Sequence, residues 1–350
     1  MKVAVYSIAL NEEKHVERWA KSAKDADYLL IADTGSIDDT VKIAKKLKIN
    51  VINVHVNPWR FDDARNASLS LIPDDIDYCI ALDLDEILIE GWREELEKAL
   101  NEGITRPKYR FITSFNPDGS PGTEYDGFRI HARKGYRWKF PIHELPVPYE
   151  IPEKTKKFNF QIHHLPDTTK SRGHYMELLK MAVNEDPTSD RNAFYYAREL
   201  YYYKMYDESI AEFKRHLSLP AAWWKPERAN SMRMLGEMDK ENAIDWFIKS
   251  IVESPGRREP YVSMAQHYFN IGDHAKTLIW AEKALEITEK PTDYFCEQYA
   301  WGSVPYDLAA LGAHFTGNKE LAVKYGMEAI RINPKDKRLR DNIGFYEKMV

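Results

Sequence analysis

Tyr78-Cys79-Ile80-Ala81-Leu82-Asp83-Leu84-Asp85-Glu86-Ile87 runs an apolar stretch straight into three acids. Its first half, Tyr78–Leu82, is short and β-rich, as a buried strand of a parallel sheet must be. Like charges this close are costly unless something positive lies among them. On an extended chain, side chains at i and i+2 point the same way. Asp83 and Asp85 are therefore expected to face one ligand. Hard oxygen donors suit Mg²⁺ or Mn²⁺, which commonly bridges protein carboxylates to substrate phosphates. Solvated turns also produce aspartate pairs, but here the pair follows a buried strand.

Outward from this stretch, strand and helix signals alternate. Lys2–Ile8, Tyr28–Ala32 and Asn50–Val56 read as strands. Glu12–Ala23 reads as a helix with Val16, Trp19 and Ala20 on one face. Ser36 and Asp39 form a capping box that opens a helix over Ile37–Leu47. This alternation predicts a mostly parallel sheet with helices on both faces. Ligands of such sheets bind beyond the carboxyl ends of the strands, where Asp33 and Asp83 fall. Between 106 and 165 the pattern shifts to short β-like runs at Tyr109–Ser114, Gly127–His131 and Phe158–His163. They predict a mixed sheet carrying acceptor-side loops.

Beyond about residue 170 strand signals vanish and a repeat takes over. Small residues recur at Ser209, Ala243 and Thr277, 34 apart, with Ala322 another 45 along. A second column holds His216, Ser250, Ala284 and Ala329, in which His216 departs from the small-residue rule. The 34-residue period is that of tetratricopeptide helix pairs, and an insertion of about 11 residues is expected within Glu289–Ser303. The aromatics of Tyr195–Tyr203 fall at helical spacing and read as core.

Four segments stand in order before and within the acidic stretch: Asn11-Glu12-Glu13, Asp33-Thr34-Gly35-Ser36-Ile37-Asp38-Asp39-Thr40, Ala64-Arg65-Asn66 and Asp83-Leu84-Asp85-Glu86. With these motifs the chain resembles the family 2 glycosyltransferases, the inverting group with the α/β GT-A (Rossmann-like) fold, over about residues 1–165 of a domain expected to span 1–168. It is similar to those members that carry tetratricopeptide-like repeats behind the catalytic domain, here residues 169–350. The resemblance implies a nucleotide-sugar donor, UDP-linked, and a Mn²⁺ or Mg²⁺ cofactor. It implies that Ser7 and Ala9 line the nucleobase pocket and that Asp33 hydrogen-bonds the base. Arg65 should lie over the base or diphosphate, Asp83 should reach the ribose or metal region, and Asp85 should bind the metal. A histidine late in the domain completes the metal site in many relatives. His163 and His164 are the candidates, with His164 favoured although Pro166 departs from the relatives' pattern. Glu144, in Phe140-Pro141-Ile142-His143-Glu144, is the candidate general base; a plain loop carboxylate is its alternative. The basic aromatic run Arg129–Phe140 would help neutralise the leaving diphosphate or form a solvated edge strand.

Composition fits this reading. Of 350 residues 43% are hydrophobic and 30% charged, enough for two packed domains. A net charge of −5 does not indicate nucleic-acid binding. Cys79 and Cys296 form no metal or redox spacing. The absence of a long apolar run predicts no membrane span and a cytoplasmic protein. A sugar-phosphate nucleotidyltransferase would need a Gly-rich basic loop after the first strand, where the acidic Asn11-Glu12-Glu13 stands instead. The other alternative is a repeat scaffold with a non-catalytic sugar-nucleotide domain. The acceptor is open, and the repeats are expected to recognise it or to form a homodimer.

Overall fold

The computed structural model describes residues 1–116, 119–166 and 175–348. The chain divides into two compact units, Met1–Glu185 and Asp186–Val350. The expected join at 168/169 lies outside the described residues.

The first unit opens with β1 (Val3–Ala9), α1 (Val16–Ser22), β2 (Tyr28–Asp33), α2 (Thr40–Lys46), β3 (Asn50–Asn53), α3 (Phe61–Ser70) and β4 (Tyr78–Ala81). There follow β5 (Glu86–Leu88), α4 (Trp92–Asn101), β6 (Arg106–Ile112), β7 (Glu124–Gly127) and β8 (Ile130–Ala132). The unit closes with β9 (Tyr136–Lys139), β10 (Leu145–Pro148), β11 (Thr155–His164) and α5 (Tyr175–Glu185). The main sheet has the order β3-β2-β1-β4-β8, with the first four strands parallel and β8 antiparallel to β4. A second sheet, β5-β11-β6-β7, is mixed, and β9 pairs with β10 as a hairpin. The strand order reverses between β1 and β4, so their carboxyl ends border the crevice where open α/β sheets take ligands. Trp19 and Trp92 are fully buried in the core around β1 and β4. The Trp19 indole also donates to the Leu82 carbonyl at 2.9 Å, anchoring the chain one residue before Asp83.

Two local expectations are corrected. The helix after β2 begins at Thr40 rather than Ile37, and Ser36 does not cap it. The Ser36 amide instead donates to Asp33, and its hydroxyl accepts from the Asn11 amide, so the segment is drawn toward β1. The stretch Asp83–Glu86 is a turn closed by the Glu86 amide on the Asp83 carbonyl at 2.9 Å, not an extended strand. The i/i+2 rule therefore does not apply there.

The second unit is helical: α6 (Asp190–Tyr202), α7 (Tyr206–Ser218), α8 (Lys225–Met238), α9 (Ala243–Glu253), α10 (Arg258–Asn270), α11 (His274–Glu286), α12 (Gln298–Trp301), α13 (Val304–Phe315), α14 (Lys319–Ile332) and α15 (Lys337–Tyr346). Helices pair as α6/α7, α8/α9, α10/α11 and α13/α14, the insertion lying between α11 and α13. All eight residues of the two predicted columns are buried. Where the small residue is serine, its hydroxyl is satisfied by the partner helix. Ser209 donates to the Ala197 carbonyl at 2.8 Å and Ser250 to the Ala229 carbonyl at 2.6 Å. His216, too large for the column, bridges to the next pair through Glu227 at 3.2 Å and Ser231 at 3.0 Å. Gly312 lets α13 approach α11 closely, since a Cβ there would stand 2.7 Å from the Leu278 amide nitrogen. The Tyr195–Tyr203 aromatics divide: Tyr195 is buried, but Tyr202 and Tyr203 are about half exposed. No described helix is long and apolar enough to cross a membrane.

Candidate active site

The first two motifs form one clasp. Asn11, in the left-handed region at φ 56°, accepts from the Ile37 amide at 2.9 Å through its side chain. The Glu12 amide donates to the Thr40 hydroxyl at 2.7 Å. The Glu13 amide donates to Asp38 at 3.1 Å, and the Asp39 amide donates back to Glu13 at 3.0 Å. These bonds join the loops that leave β1 and β2. Asp33, nearly buried at the end of β2, accepts from the Gly35 and Ser36 amides. Gly35 has a φ of 114°, a conformation open to glycine that lets its amide turn back. Ser7 is fully buried and donates to the Ile8 carbonyl at 3.0 Å. The Ala9 carbonyl accepts from both the amide and the hydroxyl of Thr34.

The Ala64-Arg65-Asn66 motif lies on α3. The Asn66 amide group pairs with the Trp138 backbone in both directions, at 2.8 and 2.9 Å, and so docks α3 on β9. Arg65 is buried, with its guanidinium 4.9 Å from the Trp138 ring centroid. It donates to Asp83 at 2.8 Å and to Glu144 at 2.5 Å, while its Nη1 is buried with no hydrogen-bond partner. Arg129, immediately before β8, donates to the other Asp83 oxygen at 2.5 Å and also binds Glu86. Two guanidinium groups thus lie among three carboxylates. Burial opposes ionisation of Asp83, yet Arg65 and Arg129 outweigh it and hold its carboxyl well below the usual range. Glu86 is the reverse case: burial lifts it to about 7 against the pull of Arg129.

Asp85, within the same turn, has partners of its own. Its carboxylate is 3.1 Å from His164 Nε2, and its carbonyl accepts from the Leu165 amide at 2.8 Å. The pairing of β11 with β5 sets this approach by placing His164 opposite Glu86. Burial disfavours the His164 imidazolium, but Asp85 overcomes it and raises the ring above ordinary histidine. His163 turns to Gln161 at 2.9 Å instead, and its pKa is lowered by burial and by Arg110. Asp83 and Asp85 therefore answer to different partners. An imidazole nitrogen and a carboxylate oxygen suit a divalent ion whose remaining positions are filled by phosphate and water. Among the described residues, no group of three or more His, Cys, Asp or Glu gathers as a protein-only metal cage.

Sequence reasoning met Arg129 only within a basic run. The signal available was the cost of three adjacent acids, which demands a cation but does not say which one. Behind this cluster, Trp138 donates to the Tyr6 hydroxyl at 2.7 Å, and that hydroxyl lies 3.3 Å from His131. Burial depresses the His131 pKa to about 4, so this buried network is neutral at physiological pH.

Residues 5–149 match the model of Glycosyl transferase family 2. An uncharacterized glycosyltransferase of Rickettsia typhi is 33% identical over 98 residues, covering 27% of this chain and 32% of that protein. Another, from Rickettsia conorii, is 32% identical over 98 residues, with 27% and 33% covered. The chain thus spans about a third of the curated relatives it matches. Among solved structures, Pseudomonas aeruginosa pilF shares 16% identity over 47% of this chain and 70% of that one, TM-score 0.38. A TPR protein of Thermus thermophilus shares 14% over 49% and 88%, TM-score 0.35. The family 2 match thus falls within the first unit, and the second unit is built of successive helix pairs.

Proposed function

We propose, with the family 2 match over residues 5–149 as premise, that the chain moves a sugar from a UDP-linked donor to an acceptor. The transfer inverts the anomeric carbon and depends on Mn²⁺ or Mg²⁺. The observation behind this reading is the pairing of Arg65 and Arg129 about Asp83, with Asp85 of the same turn paired to His164, at the sheet's ligand-binding edge.

Asp33 retains acceptor capacity beyond its two backbone bonds and would take the base N–H. Ser7 and Ala9 would wall the base on the β1 side. Asp85 and His164 would hold the metal, which when bound offsets negative charge on the diphosphate. The unpartnered Arg65 Nη1 suits a phosphate oxygen, because a buried donor left without an acceptor is costly. A diphosphate there would compete with Glu144 for Arg65. Glu144, once released, would accept the proton of the acceptor hydroxyl as its oxygen attacks the anomeric carbon. The bond from that carbon to the diphosphate oxygen breaks, and the diphosphate departs with the electron pair. A single displacement of this kind needs no protein nucleophile. The helical unit contributes acceptor recognition rather than bond making.

The test is donor hydrolysis with water as acceptor, using UDP-glucose, UDP-galactose and UDP-N-acetylglucosamine with Mn²⁺. Proton NMR recorded before mutarotation should show the β anomer of the released sugar. An initial α anomer would overturn the inverting assignment and with it the role of Glu144.

A further inference from the structure

The helical unit forms an open cavity of about 900 Å³ between α6, α8 and α10. The insertion between α11 and α13 closes one side of it. Asp293 forms a two-bond ion pair with Arg257 at 2.7 and 2.8 Å, and Glu297 pairs with Arg233. Phe295 packs on Phe194 and on Trp224, with ring centroids 5.1 and 5.3 Å apart. The chain's own segment thus lines part of a cavity with room for a compact ligand.

The lining combines ring faces with hydrogen-bonding groups. On the floor, Glu237 accepts from Arg233, from Ser263 at 3.1 Å and from Tyr201 at 3.1 Å, so the charges there are mutually satisfied and held in place. Amides from Gln266 and Asn270 line another side. Tyr202 and Tyr206 are about half exposed at the rim. Arg198 differs from the paired arginines around it. It has no carboxylate partner among the described residues, its Nε is buried without a hydrogen bond, and its guanidinium lies 4.6 Å from the Tyr195 centroid and 5.9 Å from Tyr202.

We propose that this cavity is a saccharide site that holds a short stretch of an acceptor glycan away from its reacting end. A sugar ring offers an apolar C–H face to tyrosine and hydroxyls that both donate and accept. Oriented carboxylate, guanidinium and amide groups beside exposed rings match both properties. Arg198 supplies a guanidinium that no described carboxylate engages, and Tyr202 the ring face. Binding here is separate from donor turnover; only the acceptor role rests on the glycosyltransferase reading.

The experiment uses the full chain on an array of neutral and acidic oligosaccharides, followed by titration of the tightest glycan. Arg198→Ala and Tyr202→Ala should each weaken that glycan about tenfold, the scale of one such contact. Tyr202→Phe, which keeps the ring, should restore most of the affinity while all three variants keep the wild-type melting temperature. UDP release from the donor is recorded separately. Glycan binding without donor turnover would sink the acceptor role and leave the site standing. Donor turnover with no glycan retained, glycan binding indifferent to both alanine variants, or retention of acidic peptides instead on a parallel peptide array would each overturn the proposal.

Discussion

Replacing Arg129 with methionine tests the charge arrangement around the acidic turn. In the native chain Arg129 holds one oxygen of Asp83, which is about a third exposed, and also the fully buried Glu86. Removing one partner of a buried ion pair typically costs about 3–5 kcal/mol. Asp83 keeps Arg65 at 2.8 Å and Glu86 can take up a proton, so about 3 kcal/mol is expected near pH 6. For a unit of this size that lowers the melting temperature by roughly 6–12 °C. The pH dependence carries the sharper signature. The folded Glu86 carboxyl already titrates at about 7, above its unfolded value, so stability falls as pH rises through that window. Without Arg129 the folded value climbs further. Between 7 and the new value, the variant goes on losing about 1.4 kcal/mol per pH unit while this contribution in the wild type has levelled off. Scanning calorimetry of both proteins at pH 6 and pH 8.5 should show the gap widening with pH, and Arg129→Lys should fall between them. A gap that stays constant or narrows toward pH 8.5 would refute the claim that Arg129 holds the Glu86 pKa down.

Three further outcomes are expected. Asp85→Ala should abolish the Mn²⁺ dependence of UDP affinity in calorimetry and reduce donor hydrolysis to background; affinity that still tracks Mn²⁺ would remove Asp85 from the metal site. Asn66→Ala strips two hydrogen bonds from the Trp138 backbone, and at about 1–3 kcal/mol for each buried group left unsatisfied it should lower the melting temperature and loosen Arg65; unchanged stability would mean water replaces the amide. Gly312→Ala would force a methyl against the Leu278 amide and the His274 carbonyl, at 2.7 and 3.0 Å, costing about 1–3 kcal/mol in the helical unit. A neutral effect in denaturant titration would show that α11 and α13 separate freely.

The sequence was most legible where a pattern repeats. The four parallel strands followed from apolar runs, and the 34-residue spacing located eight buried positions in four helix pairs. The order of the four motifs pointed to the site, yet their roles were harder to read. Asn11, Glu13, Ser36 and Asp38 serve each other across two loops, a mutual arrangement that no local rule contains, and so Ser36 looked like a helix cap. Asp83 and Asp85 were read as an extended pair because the preceding strand is extended; one backbone hydrogen bond turns the chain, and each carboxylate takes its own partners. Arg129 was hidden because its approach to Asp83 depends on β8 pairing with β4, a contact between residues some fifty positions apart. His164 was favoured over His163 on its sequence surroundings, and the register of β11 against β5 brings it to Asp85. Tyr202 and Tyr203 kept helical spacing but stand about half exposed at the end of α6, since spacing alone does not say which face a neighbour covers.

The insertion between α11 and α13 also bears on how the helical unit melts. In an ordinary array each repeat touches only its neighbours, so stability propagates link by link and the ends fray first. Here one short segment fastens to Phe194 on α6, to Trp224 and Arg233 at α8, and to Arg257 and Glu259 at α10. Three successive pairs are thereby coupled through a common strap, and opening the first of them also costs contacts held by the third. The array loses its one-dimensional character over that span, and residues 190–301 should protect their amides from exchange as a single cooperative block, while the terminal α14 and α15 remain free to open on their own.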